Sequence, residues 1–343
     1  MKQKDDLFST WNIKNLILKN RIVMAPMCQY QATKDGKTTK WHKLHYSTRA
    51  VGGVGLIILE STGVSPIGRI TDKDLGIWED SQIHGLKEIV DECHIYGAKV
   101  ALQIIHAGRK SEIDGEILAP SPIAFSKKYK VPTEMNKNHI YQVISEFSLA
   151  AKRAQEAGFD AVEIHAAHGY LISQFLSPIC NKRDDEYGRD RALFLKEIIL
   201  SCRDKLGGSY PIIVRISAND YNNGGNEPKD FIQLLSPIKN LIDCLHISTG
   251  GIVGDVIMNE AAQIFPGYQT MACKIIKHGL QDIPCISGGL INDALMADEM
   301  IRNNRCDAVF IGRELLRNPY WCLHAAQKLH KDIQWHESYL YAK

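Results

Sequence analysis

Short apolar runs rich in Val and Ile recur along the whole chain and alternate with stretches of helical period. The runs are IVMAP (22–26), LIILE (56–60), VALQI (100–104), AVEIH (161–165), IIVRI (212–216), CLHIS (244–248), PCIS (284–287) and AVFIG (308–312). Runs that are continuously apolar, rather than alternating, belong to strands covered on both faces, as in a parallel sheet. The stretches between them include 81–97, 138–158, 191–207 and 292–305, and several stop at a glycine just before the next strand. Strand–helix alternation repeated eight times, without a break in composition, predicts an α/β fold: a (β/α)8 TIM barrel in one domain spanning residues 1–343. A doubly wound open sheet is the competing arrangement, and the eight repeats favour closure.

Charge and cysteine usage exclude several function classes. The formal net charge is +2 and the basic residues are scattered, so neither nucleic acid nor an anionic membrane surface is an expected partner. No apolar run approaches the roughly 20 residues of a membrane span. The opening MKQKDDLFST has charges with no apolar segment behind them, which argues against a secretory leader and for a cytoplasmic protein. Nine cysteines are present and no two form C-x-x-C, which argues against a disulfide framework, a zinc ribbon or an iron–sulfur cluster. The loop after the third strand, about 107–138, holds Pro120, Pro122 and Pro132 and has the length of a lid or binding loop.

In a closed barrel of this type the chemistry lies at the C-terminal ends of the strands. The first strand delivers Ala25, Pro26, Met27, Cys28 and, soon after, Tyr30. The second delivers Glu60 and Ser61, the third Gln103, His106, Arg109 and Lys110, and the fourth His165, His168 and Tyr170. Arg215 follows in the fifth strand, Ser248 to Gly251 after the sixth, Gly288 and Gly289 after the seventh, and Gly312 and Arg313 after the eighth. Glycines after strands seven and eight, with an arginine beside them, suit a phosphate. Gln103 and Arg215 lie within strands, where a buried amide and a buried guanidinium both need partners. Two readings are open: an internal ion pair of Arg215 with Glu163 or Glu60, or recognition of a polar heterocycle. Cys28 is either packing or a redox-tuning group. The segment EIHAAHGYL (163–171) sets His165 and His168 three apart, as metal ligands, as donors to a substrate oxygen, or as satisfied core residues.

At these positions the chain resembles the old yellow enzyme family of FMN-dependent ene-reductases, most of all its bacterial NADPH dehydrogenase branch with a flavin-proximal cysteine. KNRIVMAPM (19–27), CQY (28–30), GRITDKDLGIW (68–78), QIIHAGRK (103–110), FDAVEIHAAHGYLISQFLSP (159–178), VRISANDY (214–221), FPGYQ (265–269) and FIGRELLRNPY (310–320) carry the resemblance. It implies an enzyme that takes hydride from NADPH or NADH through non-covalent FMN to the C=C bond of an enone or enal, in a ping-pong cycle. It implies that Ala25, Pro26, Met27, Cys28 and Ser61 border the flavin ring and that Gln103 binds its pyrimidine edge. Arg215 is implied to stabilise charge at N1 and O2, and Gly289, Gly312 and Arg313 to hold the phosphate. His165 and His168 are implied to bind the substrate carbonyl oxygen, Tyr170 to supply a proton, and Tyr30 to orient the substrate. A homodimer or homotetramer is consistent with the resemblance. Relatives, however, end in an arginine-containing tail that reaches a neighbouring site, and here Tyr341 stands at about that position. The chain after DEYG (185–188) is also about three residues shorter than in relatives, with Arg191 matching the usual arginine.

Two other classes compete. A metal-dependent barrel hydrolase would use His165 and His168 as ligands, and would leave Gln103, Arg215 and the two glycine sites without a role. A non-catalytic flavin-binding protein would keep those residues and could dispense with Tyr170 and the histidines. A larger dienoyl-CoA reductase would need clustered cysteines, which this chain lacks.

Overall fold

The structure is a computed structural model, and it describes residues 5–254, 264–281 and 283–343. The first four residues of the charged N-terminal stretch lie outside that range.

Eight parallel strands close into a barrel. They are β1 (Ile22–Met24), β2 (Leu56–Gly63), β3 (Lys99–Ile105), β4 (Ala161–Ala166), β5 (Ile212–Ser217), β6 (Cys244–Ser248), β7 (Cys285–Gly288) and β8 (Ala308–Ile311). Each pairs in parallel with its neighbours, and β8 pairs with β1, which pairs with β2, to complete the ring. The eight apolar runs are these strands to within three residues at either end. The outer layer includes α1 (Lys40–Val51), α2 (Ile83–Ile95), α3 (Lys137–Glu156), α4 (Leu193–Leu206), α5 (Pro228–Leu235), α6 (Thr270–Gly279), α7 (Ala294–Arg302) and α8 (Trp321–Lys328). Asn136 caps α3 by accepting the His139 N–H at 3.0 Å, and Asp293 caps α7 in the same way.

Inside the barrel each strand changes character along its length. Residues two apart share a face, so Ala101 and Gln103 point the same way, as do Ala161, Glu163 and His165. The same holds for Ile213, Arg215 and Ser217, and for Cys244, His246 and Ser248. At the lower level Val23, Leu56, Ile58, Ala101, Ala161, Ile213, Cys244, Ile286 and Ala308 pack into one apolar core. An antiparallel hairpin, Trp11–Ile13 with Leu16–Leu18, contributes Trp11, Ile13, Leu16 and Leu18 to that core and plugs the barrel from below. One residue pair higher, the inward positions turn polar. The register sets Gln103 beside Glu163, His165 beside Arg215 and Arg215 beside His246, then Ser217 beside Ser248.

The long segment after β3 is not featureless. It opens with a turn at Gly108–Lys110, pairs Leu118–Ala119 with Thr133–Glu134, and folds across the rim to the loop after β6. That loop also meets the one after β4. Gly169 (φ +73°) and Gly251 (φ +90°) pass so closely that a Cβ on Gly169 would stand 2.2 Å from the Gly251 carbonyl oxygen. Gly169→Ala is therefore expected to lower the unfolding free energy by about 2 kcal/mol or more, from left-handed strain and the clash together. Chemical denaturation measures it, and an unchanged midpoint would contradict this contact between the loops.

Candidate functional site

A buried carboxylate organises the polar level. Glu163 has no exposed surface, and its two oxygens are divided between β3 and β6, the latter reached across the barrel interior past β5. Gln103 Nε2 donates to Oε1 at 2.7 Å, and His246 Nδ1 lies 2.6 Å from Oε2. Burial pushes the Glu163 carboxyl up, but the charge and hydrogen bond of His246, then the Arg215 charge and the Gln103 hydrogen bond, outweigh it and hold Glu163 below the ordinary carboxylate range. Burial, opposed by the Glu163 charge, holds the His246 imidazole below its ordinary value, and its Nδ1–H donates a charge-assisted hydrogen bond to the carboxylate.

This pairing fixes the orientation of Gln103. An ionised carboxylate only accepts, so the amide nitrogen must face Glu163 and the amide oxygen must face away. That oxygen takes no protein donor among the described residues, which leaves it as an acceptor for an imide N–H.

Arg215 differs from the bland expectation. It makes no ion pair with Glu163 or Glu60 within 4.0 Å. Glu163 is taken up by Gln103 and His246, and Glu60 by the Tyr46 hydroxyl at 3.1 Å, the Gln29 N–H at 2.7 Å and His42 Nε2 at 3.3 Å. The guanidinium is 6% exposed, its Nε has no partner, and its carbon lies 5.8 Å from the Phe310 ring centroid. A buried cation without an acceptor calls for one from outside the chain.

It faces a cavity of about 390 Å³ that Ala25, Pro26 and Met27 line from β1, Gly289 to Asn292 from the β7 loop, and Gly312 and Arg313 from the β8 loop. Gly289 (φ +98°) needs glycine, since a Cβ would stand 2.7 Å from the Tyr268 ring. Gly312 has room around it, and its contribution is the turn that leads into the short helix Arg313–Arg317. Arg313 and Arg317 put two cations at this end of the cavity. Tyr268, Gln269, Ser248 and Phe310 line it as well; FPGYQ was among the segments carrying the resemblance, but no role followed from it.

An FMN fits this arrangement. The orphaned Arg215 guanidinium and the free Gln103 oxygen match the charge and the imide edge of its ring, and the glycine loops with Arg313 match its phosphate. Cys28 sits at the other side of the β1 end, with Sγ 3.1 Å from Ser61 Oγ. Ser61 reaches it because the register of β2 against β3 shifts between Leu59 and Thr62, which re-aims Glu60 and Ser61. Burial, together with the charges of Asp74 and Glu60, pushes the Cys28 thiol up to about 12, so it is neutral.

His165, His168 and Tyr170 stand together beside the cavity rather than in its lining. The His165 ring meets that of His168 edge-on at 5.2 Å and that of Tyr170 at 5.0 Å. Burial and the Arg215 charge hold both imidazoles well below their ordinary value. A backbone hydrogen bond assigns the tautomer of His165. His165 Nδ1 accepts the Ala167 N–H at 3.2 Å, so its proton is on Nε2. Gln269 Nε2 donates to Ser248 Oγ at 3.1 Å, and that oxygen lies 2.7 Å from His168 Nε2. The tautomer in which Ser248 donates this bond puts the His168 proton on Nδ1. His165 keeps its Nε2–H to offer, and His168 is held in a left-handed conformation (φ +57°) with its backbone N–H on Ser217 Oγ at 2.8 Å. Burial, with Cys28 and Tyr30 nearby, raises the Tyr170 phenol above its ordinary value. Tyr30 is about half exposed at the open side. Among the described residues no three His, Cys, Asp or Glu side chains are arranged to hold a metal.

Sequence reasoning passed over the Glu163–His246 pair as a unit, although both are ionisable residues inside apolar runs. It also gave no role to Lys110 or Phe125, which the long loop brings to the rim.

Residues 6–332 match the model of the NADH:flavin oxidoreductase / NADH oxidase family. A NADPH dehydrogenase of Clostridium acetobutylicum is 46% identical over 338 residues, covering 97% of this chain and 98% of that one. A NADPH dehydrogenase of Geobacillus sp. is 48% identical over 332 residues, covering 95% of each. Among solved structures, morphinone reductase superposes with a TM-score of 0.79 at 26% identity, over 97% of this chain and 91% of that one. 2-Naphthoyl-CoA reductase superposes with a TM-score of 0.87 at 26% identity over 95% of this chain, which spans only 52% of that larger one. The chain belongs to the NADH:flavin oxidoreductase / NADH oxidase family, as a TIM-barrel oxidoreductase that uses FMN and a nicotinamide donor.

Proposed function

We propose that this enzyme reduces the C=C bond of small α,β-unsaturated carbonyl compounds with electrons from NADPH, in the cytoplasm. The observation that carries the reading is the pair of neutral imidazole donors with Tyr170 beside them, next to a cavity that has an unpaired guanidinium at its floor. A bound flavin supplies the two-electron exchange between the nicotinamide and the alkene.

The residues do the rest. Arg215 and Gln103 hold the polar edge of the ring, while Ala25, Pro26 and Met27 border it. Gly289, Gly312 and Arg313 receive the phosphate. His165 Nε2–H and His168 Nδ1–H converge on the carbonyl oxygen of an enone, where negative charge builds as the β-carbon is reduced. Because both rings are neutral and preorganised, they stabilise that charge more than the ground-state carbonyl. Each such donor is worth about 3 kcal/mol in comparable sites. Tyr170 keeps its proton across the working pH range, and an enolate is basic enough at its α-carbon to take it. Tyr30, on the open side, orients the substrate. Cys28, hydrogen-bonded to Ser61 and neutral, would border a bound ring as a soft group that tunes its potential.

Tyr170→Phe is expected to slow reoxidation by 2-cyclohexenone about 10- to 100-fold, with the rate of reduction by NADPH changed little. Stopped-flow measurement of the two half-reactions separates these. Equal slowing of both would contradict the proton-donor role.

A further inference from the structure

Two adjacent cations hold the rim of the site, and neither has a carboxylate within 4.0 Å among the described residues. Arg109 is almost fully buried and donates to the Ile123 carbonyl of the long loop at 3.1 Å and to the Ile252 carbonyl of the β6 loop. Lys110 Nζ donates to the His168 carbonyl at 2.8 Å, and lies 4.7 Å from the Tyr170 ring centroid and 4.5 Å from that of Phe125. The peptide around His168 is thus gripped from both sides. Its N–H goes to Ser217 of β5 and its C=O to Lys110 of the β3 loop. A left-handed residue such as His168 adopts a sparsely populated conformation, and surrounding contacts must hold it there.

We infer that Lys110 is a positioning residue: its ammonium fixes the His168 carbonyl, and through it the direction of the imidazole N–H that receives the substrate oxygen. This rests on the reading of His168 as an oxygen donor. The charge of Lys110 then matters to substrate binding although the group need not touch the substrate. Arg109 and Glu112 face it from its own loop, His165, His168 and Tyr170 from the β4 loop, and Tyr129 from the long loop through its bond to Glu112; the β6 loop offers the Gly251 carbonyl at 3.5 Å. The imidazoles are held below their ordinary value and the two phenols above theirs. Burial and the Arg109 charge bring Lys110 down to about 8, with Glu112 opposing. The ammonium makes the stronger, charge-assisted bond and the neutral amine a weaker one, so enone binding is tightest below that pH and weakens above it.

The test is the Kd of 2-cyclohexenone for the reduced holoenzyme, from stopped-flow reoxidation between about pH 6.5 and 9.5, in wild type, Lys110→Met, Lys110→Arg and His168→Ala. Wild type should lose about tenfold in affinity across the upper half of that range, the scale of one charge-assisted hydrogen bond. Lys110→Met should start about tenfold weaker with no dependence on pH. Lys110→Arg, which stays charged, should follow wild type at low pH and hold its affinity at high pH. A Lys110→Met enzyme with wild-type affinity and pH profile overturns the inference. Should that variant fail to retain flavin, identical pH profiles for wild type and Lys110→Arg overturn it instead. His168→Ala separates the two levels. Unchanged binding there removes the oxygen-donor reading, whereas weakened binding with an unaffected Lys110→Met removes only the role of Lys110.

Discussion

Glu163 is a carboxylate with no path to water, and the polar level of the barrel is arranged around it. An ionised group in that position is tolerable only when donors and a compensating charge surround it. Gln103 of the adjacent β3 and His246 of β6 supply the donors, and Arg215 of the intervening β5 supplies charge at longer range. Because Glu163 is saturated by these neighbours, Arg215 is left with charge and hydrogen-bonding capacity directed at the cavity. The same saturation turns the Gln103 carbonyl outward. One buried acid therefore sets the recognition geometry of two residues that would otherwise pair with it.

The level above follows from the period of the strands. His165 stands two residues beyond Glu163, Ser217 two beyond Arg215 and Ser248 two beyond His246, all pointing inward. Ser248 holds the His168 imidazole at Nε2, and Ser217 holds its backbone N–H. The level of Gln103, Glu163 and Arg215 and the histidine pair above it are thus consecutive layers of one barrel, and the apolar core and N-terminal hairpin below them give both a rigid base.

Much of this was legible in the sequence because burial on both faces leaves a plain record. AVEIH and IIVRI read as strands, and a histidine or arginine inside such a run marks an inward polar position. His165, His168, Tyr170 and Arg215 could be placed at one rim on that basis. The partner of Arg215 could not, because spacing along one strand says nothing about which neighbour satisfies a charge. The choice between Glu163, Glu60 and an outside acceptor needed the register of β3, β4 and β6. His246 was hidden for the same reason. Lys110 and Phe125 meet the β4 loop through a segment of about 30 residues whose path no local period encodes. The grip on His168 is a tertiary product, visible only once three loops are seen to converge.

The most direct test is the behaviour of the purified protein in an anaerobic cuvette. It should be yellow, lose that colour on addition of stoichiometric NADPH, and regain it on stoichiometric 2-cyclohexenone with formation of the saturated ketone. A protein that carries a bound metal and no flavin, or a flavin that NADPH bleaches and the enone fails to restore, would contradict the proposed function.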